Sequence, residues 1–272
     1  MAQGDLVSLT ALKAHLGVQS SADDILLSSM IGQISRAICT WLNRAFVLPR
    51  DVTDIFDGNG RNRIQLRNWP VVSISSVSID GQSIPQSTDG HSFGWLLEPG
   101  DDDPPGAMQL LMLRSGLFPR GWQNVVVQYR AGYQISEEPQ TVPNATPDAR
   151  IAAEQPYGPF AVDCGVTYAS SGAALTPVAS EPAQGQYVVD TFGNYLFASA
   201  DSGAQVLITY GYVPHDLASC ALEWAADRYR YRDRIGATSK SLGGQETAAY
   251  RITAMPDYVQ QGLRSFARII SN

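Results

Sequence analysis

Val125-Val-Val-Gln-Tyr-Arg-Ala-Gly-Tyr133 has an echo later in the chain, Val206-Leu-Ile-Thr-Tyr-Gly-Tyr212. Both runs are β-branched and aromatic, the composition of strands packed on one face. Their similar endings predict a second β unit inserted just after a strand that otherwise leads directly into the segment opening at Pro214. The junction falls near Tyr133.

Working outward, short strand-like runs occur at Val52 to Asp57, Ile64 to Arg67, Val71 to Ile79, Met108 to Leu113 and Val125 to Tyr129. Turn chemistry separates them: Asp57-Gly58-Asn59-Gly60, Asp80-Gly81, and the Gly100 to Gly106 loop with Asp101, Asp102 and Asp103. From Glu137 to Pro159 five prolines obstruct regular structure, so this interval reads as strand-poor. Beyond it Phe160 to Tyr168, Gly185 to Asp190, Asn194 to Ala198 and Gln205 to Tyr212 are strand candidates.

The two ends of the chain follow a helical period. Ser8 is placed to cap a helix with Leu9, Leu12 and Leu16 on one face, and Gly17 to end it. Ser21 with Asp24 resembles a capping box, ahead of a stripe through Leu27, Met30, Ile31, Ile34, Ile38, Trp41, Leu42 and Ala45. Pro214 opens a helix with Leu217, Cys220, Ala221, Trp224 and Ala225 on one side. Pro256 opens a last one through Val259, Leu263, Phe266, Ala267 and Ile270. The expected fold class is α+β: a four-helix body formed by both termini, residues 1–50 and 213–272, with a long β-rich insertion of two small antiparallel β units. Those units are 51–133 and 160–212, joined by a proline-rich connection, 134–159.

With 26 acidic against 19 basic residues the formal net charge is -7, which argues against a protein whose main task is gripping phosphate backbones. Cys39, Cys164 and Cys220 form no paired motif and read as small apolar residues of a reducing compartment. No apolar stretch approaches the length of a membrane span, and Met1 to Thr10 lacks a signal-peptide pattern. Synthesis in a cytoplasm without export is the expectation.

Chemistry is sparse. His15, His91 and His215 stand at no metal-ligand spacing, and no nucleophile-elbow, zincin or phosphate-loop motif occurs. No catalytic residue, cofactor or metal is expected. Asp101 to Asp103 read as a solvated hairpin tip, because consecutive carboxylates cannot all turn to one ion. Glu98 with that group is the one conceivable acid and base pair, but nothing fixes their separation. Asp227-Arg-Tyr-Arg-Tyr-Arg-Asp-Arg234 places Arg228 and Arg232 on one helix side and Arg230 and Arg234 on another. Solvated helix end, subunit ion pairing and DNA contact are the three uses open to it.

Between the last two helices lies a loop containing Ser239-Lys240-Ser241-Leu242-Gly243-Gly244, Thr247, Tyr250 and Met255. It exceeds a usual helix connection and has little of its own to bury. Together with Leu6-Val-Ser-Leu-Thr-Ala-Leu-Lys-Ala-His-Leu16, Asp23-Asp24, Trp41-Leu-Asn-Arg44, and more loosely Pro70-Val-Val-Ser-Ile-Ser-Ser-Val77 and Asn124 to Tyr133, it resembles the head-tail connector (adaptor) proteins of long-tailed bacteriophages. Asp163-Cys-Gly-Val-Thr-Tyr168, Gly172-Ala-Ala-Leu-Thr176 and Gly185-Gln-Tyr187 look like a small β module that recurs among phage structural proteins.

The resemblance implies a structural virion protein, not an enzyme, made in the bacterial host and placed at the capsid-tail junction. It implies a dodecameric ring of identical copies between the portal protein and the tail-side stopper or completion protein, with genomic DNA passing through unread. The subunit or portal interface would then use Arg228, Arg230, Arg232, Arg234, Ser239 to Gly244, Tyr250 and Met255. The alternative is a carbohydrate or receptor binder anchored on the particle by its helices, with Trp69, Trp95 and Trp122 as stacking surfaces.

Overall fold

A computed structural model describes residues 4–98, 110–145, 148–232, 239–242, 246–249 and 255–268. The chain divides into two compact units, Met1–Ala45 with Val213–Asn272, and Phe46–Tyr212. Strand, at 38%, outweighs helix, at 25%, and this overturns the expectation of a four-helix body carrying two small β units. The larger unit, Phe46–Tyr212, is built on β-strands. Helical periodicity is strongest at the termini, in the smaller unit, whereas several strands are short or polar and carry little periodic signal.

In the helical unit, α1 (Leu9–Leu16) begins where Ser8 Oγ accepts the Ala11 N–H at 3.1 Å and ends on Gly17 at φ 70°. The predicted Ser21 capping box is absent. α2 (Asp24–Trp41) is preceded by Asp23, which makes no side-chain cap, and the Asp24 carboxylate instead pairs with Lys13 at 2.6 Å. Leu27, Ile31, Ile34 and Ile38 are buried along α2. α3 (His215–Tyr231) packs against α1, α2 and the short α4 (Asp257–Leu263). The expected helical stripe past Leu263 stops early. Arg264–Phe266 form a 3₁₀ turn, and the Arg268 N–H bonds the Leu42 carbonyl at 2.8 Å, drawing the backbone away from the helix axis. Ile270 lies outside the described residues.

The larger unit opens with seven strands: β1 (Arg50–Gly58), β2 (Arg63–Gln65), β3 (Val71–Ile79), β4 (Gln82–Ile84), β5 (Gly94–Leu97), β6 (Leu110–Arg114) and β7 (Gly121–Ala131). They form two antiparallel sheets, ordered β1-β7-β3-β4 and β2-β6-β5. Alternate residues such as Val77, Val125, Val127, Leu111 and Leu113 turn inward to one aliphatic core completed by Trp95 and Phe118. This is the period-two burial of a two-sheet sandwich.

Of the next seven strands, six repeat that order. The seven are β8 (Gln134–Thr141), β9 (Asp148–Ala152), β10 (Phe160–Tyr168), β11 (Thr176–Pro177), β12 (Gln186–Val189), β13 (Asn194–Ala198) and β14 (Gln205–Tyr212). Their sheets run β8-β14-β10 and β9-β13-β12-β11, so β8, β9, β10, β12, β13 and β14 take the places of β1, β2, β3, β5, β6 and β7. The β11–β12 pair is parallel. Two of these strands lie in the interval predicted to be strand-poor. β8 accommodates Pro139 because it is an edge strand bonded only to β14, where a missing N–H costs no ladder bond.

The repetition extends to a buried polar lock. Tyr129, on central strand β7, donates its hydroxyl to Asp54 on β1 at 2.6 Å and accepts the Asn68 N–H at 3.1 Å. Tyr210, on central strand β14, donates to Glu138 on β8 at 2.7 Å and accepts the Gln155 N–H at 3.1 Å. Each carboxylate stands opposite the residue two before its tyrosine, Val127 or Ile208. Each N–H comes from the loop just past the second strand of its module. Between the modules, Gly132 adopts φ 128° with its Cα so close to the Leu48–Pro49 backbone that no side chain fits.

Candidate functional site

The sequence placed the interaction site at the end of α3 and in the following loop. There Arg232 pairs with Asp23 at 3.0 Å and lies over the Tyr229 ring, 4.0 Å from its centroid, while the Tyr229 hydroxyl donates to the same carboxylate at 2.5 Å. These hydrogen bonds, Tyr229 first and Arg232 next, hold the Asp23 carboxyl below its usual range. The start of α2 is thus fastened to the end of α3. Arg228 and Arg230 are exposed. Ile25 is 89% exposed and Leu26 43%, two and three residues beyond the fastening carboxylate of Asp23. Large apolar side chains left in water at the start of α2, on a helix fastened to the arginine-bearing end of α3, suit a partner surface.

Downstream, the predicted irregular loop contains an antiparallel pair of strands, β15 (Ser239–Leu242) with β16 (Glu246–Ala249), in the register Ser239 to Ala249 and Leu242 to Glu246. The backbone of Ser239, Lys240, Ser241 and Leu242 therefore forms one arm of a hairpin. Arg234, Gly243, Gly244 and Tyr250 lie outside the described residues. Met255 is buried at 9% exposure ahead of α4, and its carbonyl accepts from Gln260 at 2.9 Å.

The chain matches no known protein family and no curated protein.

A second surface was missed by the sequence reading except for one residue. At the loop end of the first β module, Trp122 is 92% exposed, Leu117 60% and Phe93 50%. Trp122 is held out by a bulge. Gly58 and Gly121 face each other where the β1–β7 register shifts, a side chain on Gly58 would strike the Pro119 carbonyl, and Gln123 takes φ 49° with its N–H bonded to Asp57 at 2.6 Å. Beside the indole is a cleft of about 310 Å³ lined by Asp57, Gly58, Asn59, Arg120, Gly121 and Trp122. The Asn59 amide is committed to its own turn, to Arg63 and Arg61 at 2.8 Å each. The signal available beforehand was the Arg-Gly-Trp triplet between a proline and a strand.

The remaining candidates are dispersed. Trp95 is buried in the first core and Trp69 is half-buried before a cis peptide to Pro70, which leaves Trp122 as the open ring of the three. Glu98 pairs with Arg63 at 2.9 Å, and Asp101 to Asp103 lie outside the described residues. His15, His91 and His215 occupy separate exposed positions, and among the described residues no three of His, Cys, Asp and Glu gather as a metal site. Burial pushes the thiols of Cys39, Cys164 and Cys220 up, which lowers their thiolate fraction and nucleophilicity. Among the described residues no helix is long and apolar enough to cross a membrane.

Proposed function

We propose that this chain is a structural subunit of a ring joining the portal vertex of a phage capsid to tail-side connector proteins, with DNA passing through the centre. The observation that carries this reading is the exposed pair Ile25 and Leu26 together with Arg228 and Arg230 at the α2–α3 end, on helices pinned through Asp23. A modest heterologous contact of that kind is multiplied when a rotation closes. The acidic net charge suits a channel wall that DNA slides past without holding. No reaction is assigned to the chain, and no cofactor.

Mass measurement of the purified protein, alone and with a portal ring, tests the proposal. Closed rings of identical copies are expected with the portal, and their loss in an Ile25→Glu, Leu26→Gln variant that keeps its helical content. Monomers in every mixture would overturn it. The carbohydrate reading retains one open ring, Trp122, and glycan-array binding lost on Trp122→Ala would favour it instead.

A further inference from the structure

The two β modules act as internal controls for each other. Equivalent positions that share a chemistry report what the module needs to fold, and equivalent positions that diverge report where something else has acted. The Tyr129 and Tyr210 locks belong to the first kind. The loop ends belong to the second.

In the first module the turn after β1, the end of β6 and the start of β7 meet at one end. That end exposes Trp122, Leu117 and Phe93 together with Arg61, Arg114 and Arg120. None of these three arginines has a carboxylate partner among the described residues. The corresponding end of the second module, from Val142 to Asn144 and from Ser199 to Ala204, exposes no large apolar residue and no basic one. Net charge has diverged as sharply. Residues 134–212 contain eight acidic residues and one basic, Arg150, whereas residues 46–133 contain nine acidic residues and seven arginines. In the second module Glu138, Asp163 and Asp201 are acceptors for tyrosine hydroxyls, and Glu137, Glu154, Glu181 and Asp190 face solvent.

We propose that the arginine and tryptophan end of the first module docks on the acidic second module of another copy of this chain. Both halves of such a contact exist in one sequence, so each copy offers one end and receives another, the head-to-tail arrangement that closes into rings. The copy's own second module is excluded as occupant. β7 runs from Gly121 to Ala131, about 30 Å at strand rise, and the contacts between modules cluster at its far end. There Arg130 bonds Gln134 at 2.8 Å, and the Tyr133 and Tyr212 rings meet edge to face at 5.8 Å. Within this unit Trp122 stays 92% exposed among the described residues. An exposed indole beside guanidinium groups that have no carboxylate partner among the described residues has the composition of an interface anchor, and opposite charge across the contact fixes its partner. The inference deepens the ring reading by naming a second contact between subunits.

Sedimentation velocity of the full chain across a range of concentration and salt tests it. Association that weakens with added salt is expected for the native protein, and about tenfold or more weaker association for Arg120→Ala with Trp122→Ala. Both side chains are exposed, so the thermal transition of the variant should be unchanged. A second variant, Glu137→Gln with Glu154→Gln and Glu181→Gln, should associate weakly by itself. Mixed with the first, it should give dimers and nothing larger, since each such pair keeps one intact contact. Native rings equally strong in both variants would overturn this contact and leave the ring reading standing. A native chain that stays monomeric at all concentrations without a portal would overturn the contact as well, and the portal mixture would still judge the ring.

Discussion

The first and second β modules share a strand order and differ in what fills them. Between β1-β7-β3 and β2-β6-β5 the core is aliphatic, with Val77, Val125, Val127 and Leu111 fully enclosed. Between β8-β14-β10 and β9-β13-β12 it is aromatic. Tyr187, Tyr195 and Phe197 lie 5.7 to 6.5 Å apart by ring centroid, and Phe160 meets Tyr195 and Tyr210 at 6.2 and 5.8 Å. A ring that ends in a hydroxyl must be given an acceptor when buried. Asp163 serves Tyr187 at 2.5 Å and Tyr195 at 3.0 Å, and Asp201 serves Tyr168 at 2.6 Å. One topology thus tolerates two core chemistries, provided the polar ends of the second are paired. Some of the acidity of the second module is structural for that reason.

The comparison breaks most visibly where each core is cut. Phe118→Ala, at a fully buried site of the first module, should cost about 3–5 kcal/mol through lost burial and a cavity, seen as a lower midpoint in chemical denaturation. Asp163→Ala should cost about 3 kcal/mol in the second module, because two enclosed hydroxyls lose their acceptor together. If Asp163→Ala were neutral, the aromatic core would owe nothing to its carboxylates. Tyr129→Phe and Tyr210→Phe remove equivalent hydroxyls and should each cost about 1 kcal/mol, within error of one another.

Alkaline pH sharpens the contrast. Burial, then a neighbouring carboxylate, pushes the Tyr168 phenol up to about 12 and raises Tyr187, Tyr195 and Tyr210 in the second module. In the first module Tyr129 is raised by the same two causes. An unfolded tyrosine ionises near pH 10. Below that pH the contribution of these groups is complete. Above it the unfolded chain releases protons that the folded chain keeps, so stability falls as pH rises toward the folded values. Absorbance at 295 nm should show these phenols silent past pH 10 and then titrating together with unfolding, the second module yielding first. The smallest effect belongs to the helical unit. Asp23→Asn should loosen the α2–α3 fastening slightly, with loss of the acid sensitivity that a lowered carboxyl confers below its unfolded range.

How far the sequence could be read follows from the same contrast. Helix starts at Ser8, Pro214 and Pro256 were legible because local capping and proline chemistry act without tertiary help. β7 and β14 were legible as alike because central strands carry long apolar alternation. β8 was not, since Gln134-Ile-Ser-Glu-Glu-Pro-Gln-Thr141 hides an edge strand behind charge and proline, with the buried Glu138 satisfied by distant partners, the Tyr210 hydroxyl and the Glu154 N–H. β5 was missed because its four residues are too few to display a period. At the candidate site the arginines of α3 are legible from composition, whereas nothing in the sequence sets Ile25 and Leu26 apart, and only the buried stripe of α2 leaves them exposed.

Hydrogen exchange followed residue by residue in Tyr129→Phe and Tyr210→Phe tests the repeated module most directly. Each substitution should speed exchange within its own seven strands, 50–131 for the first and 134–212 for the second, and leave the other set unchanged. Accelerated exchange spread evenly over both sets by either substitution would contradict two equivalent modules with separate locks.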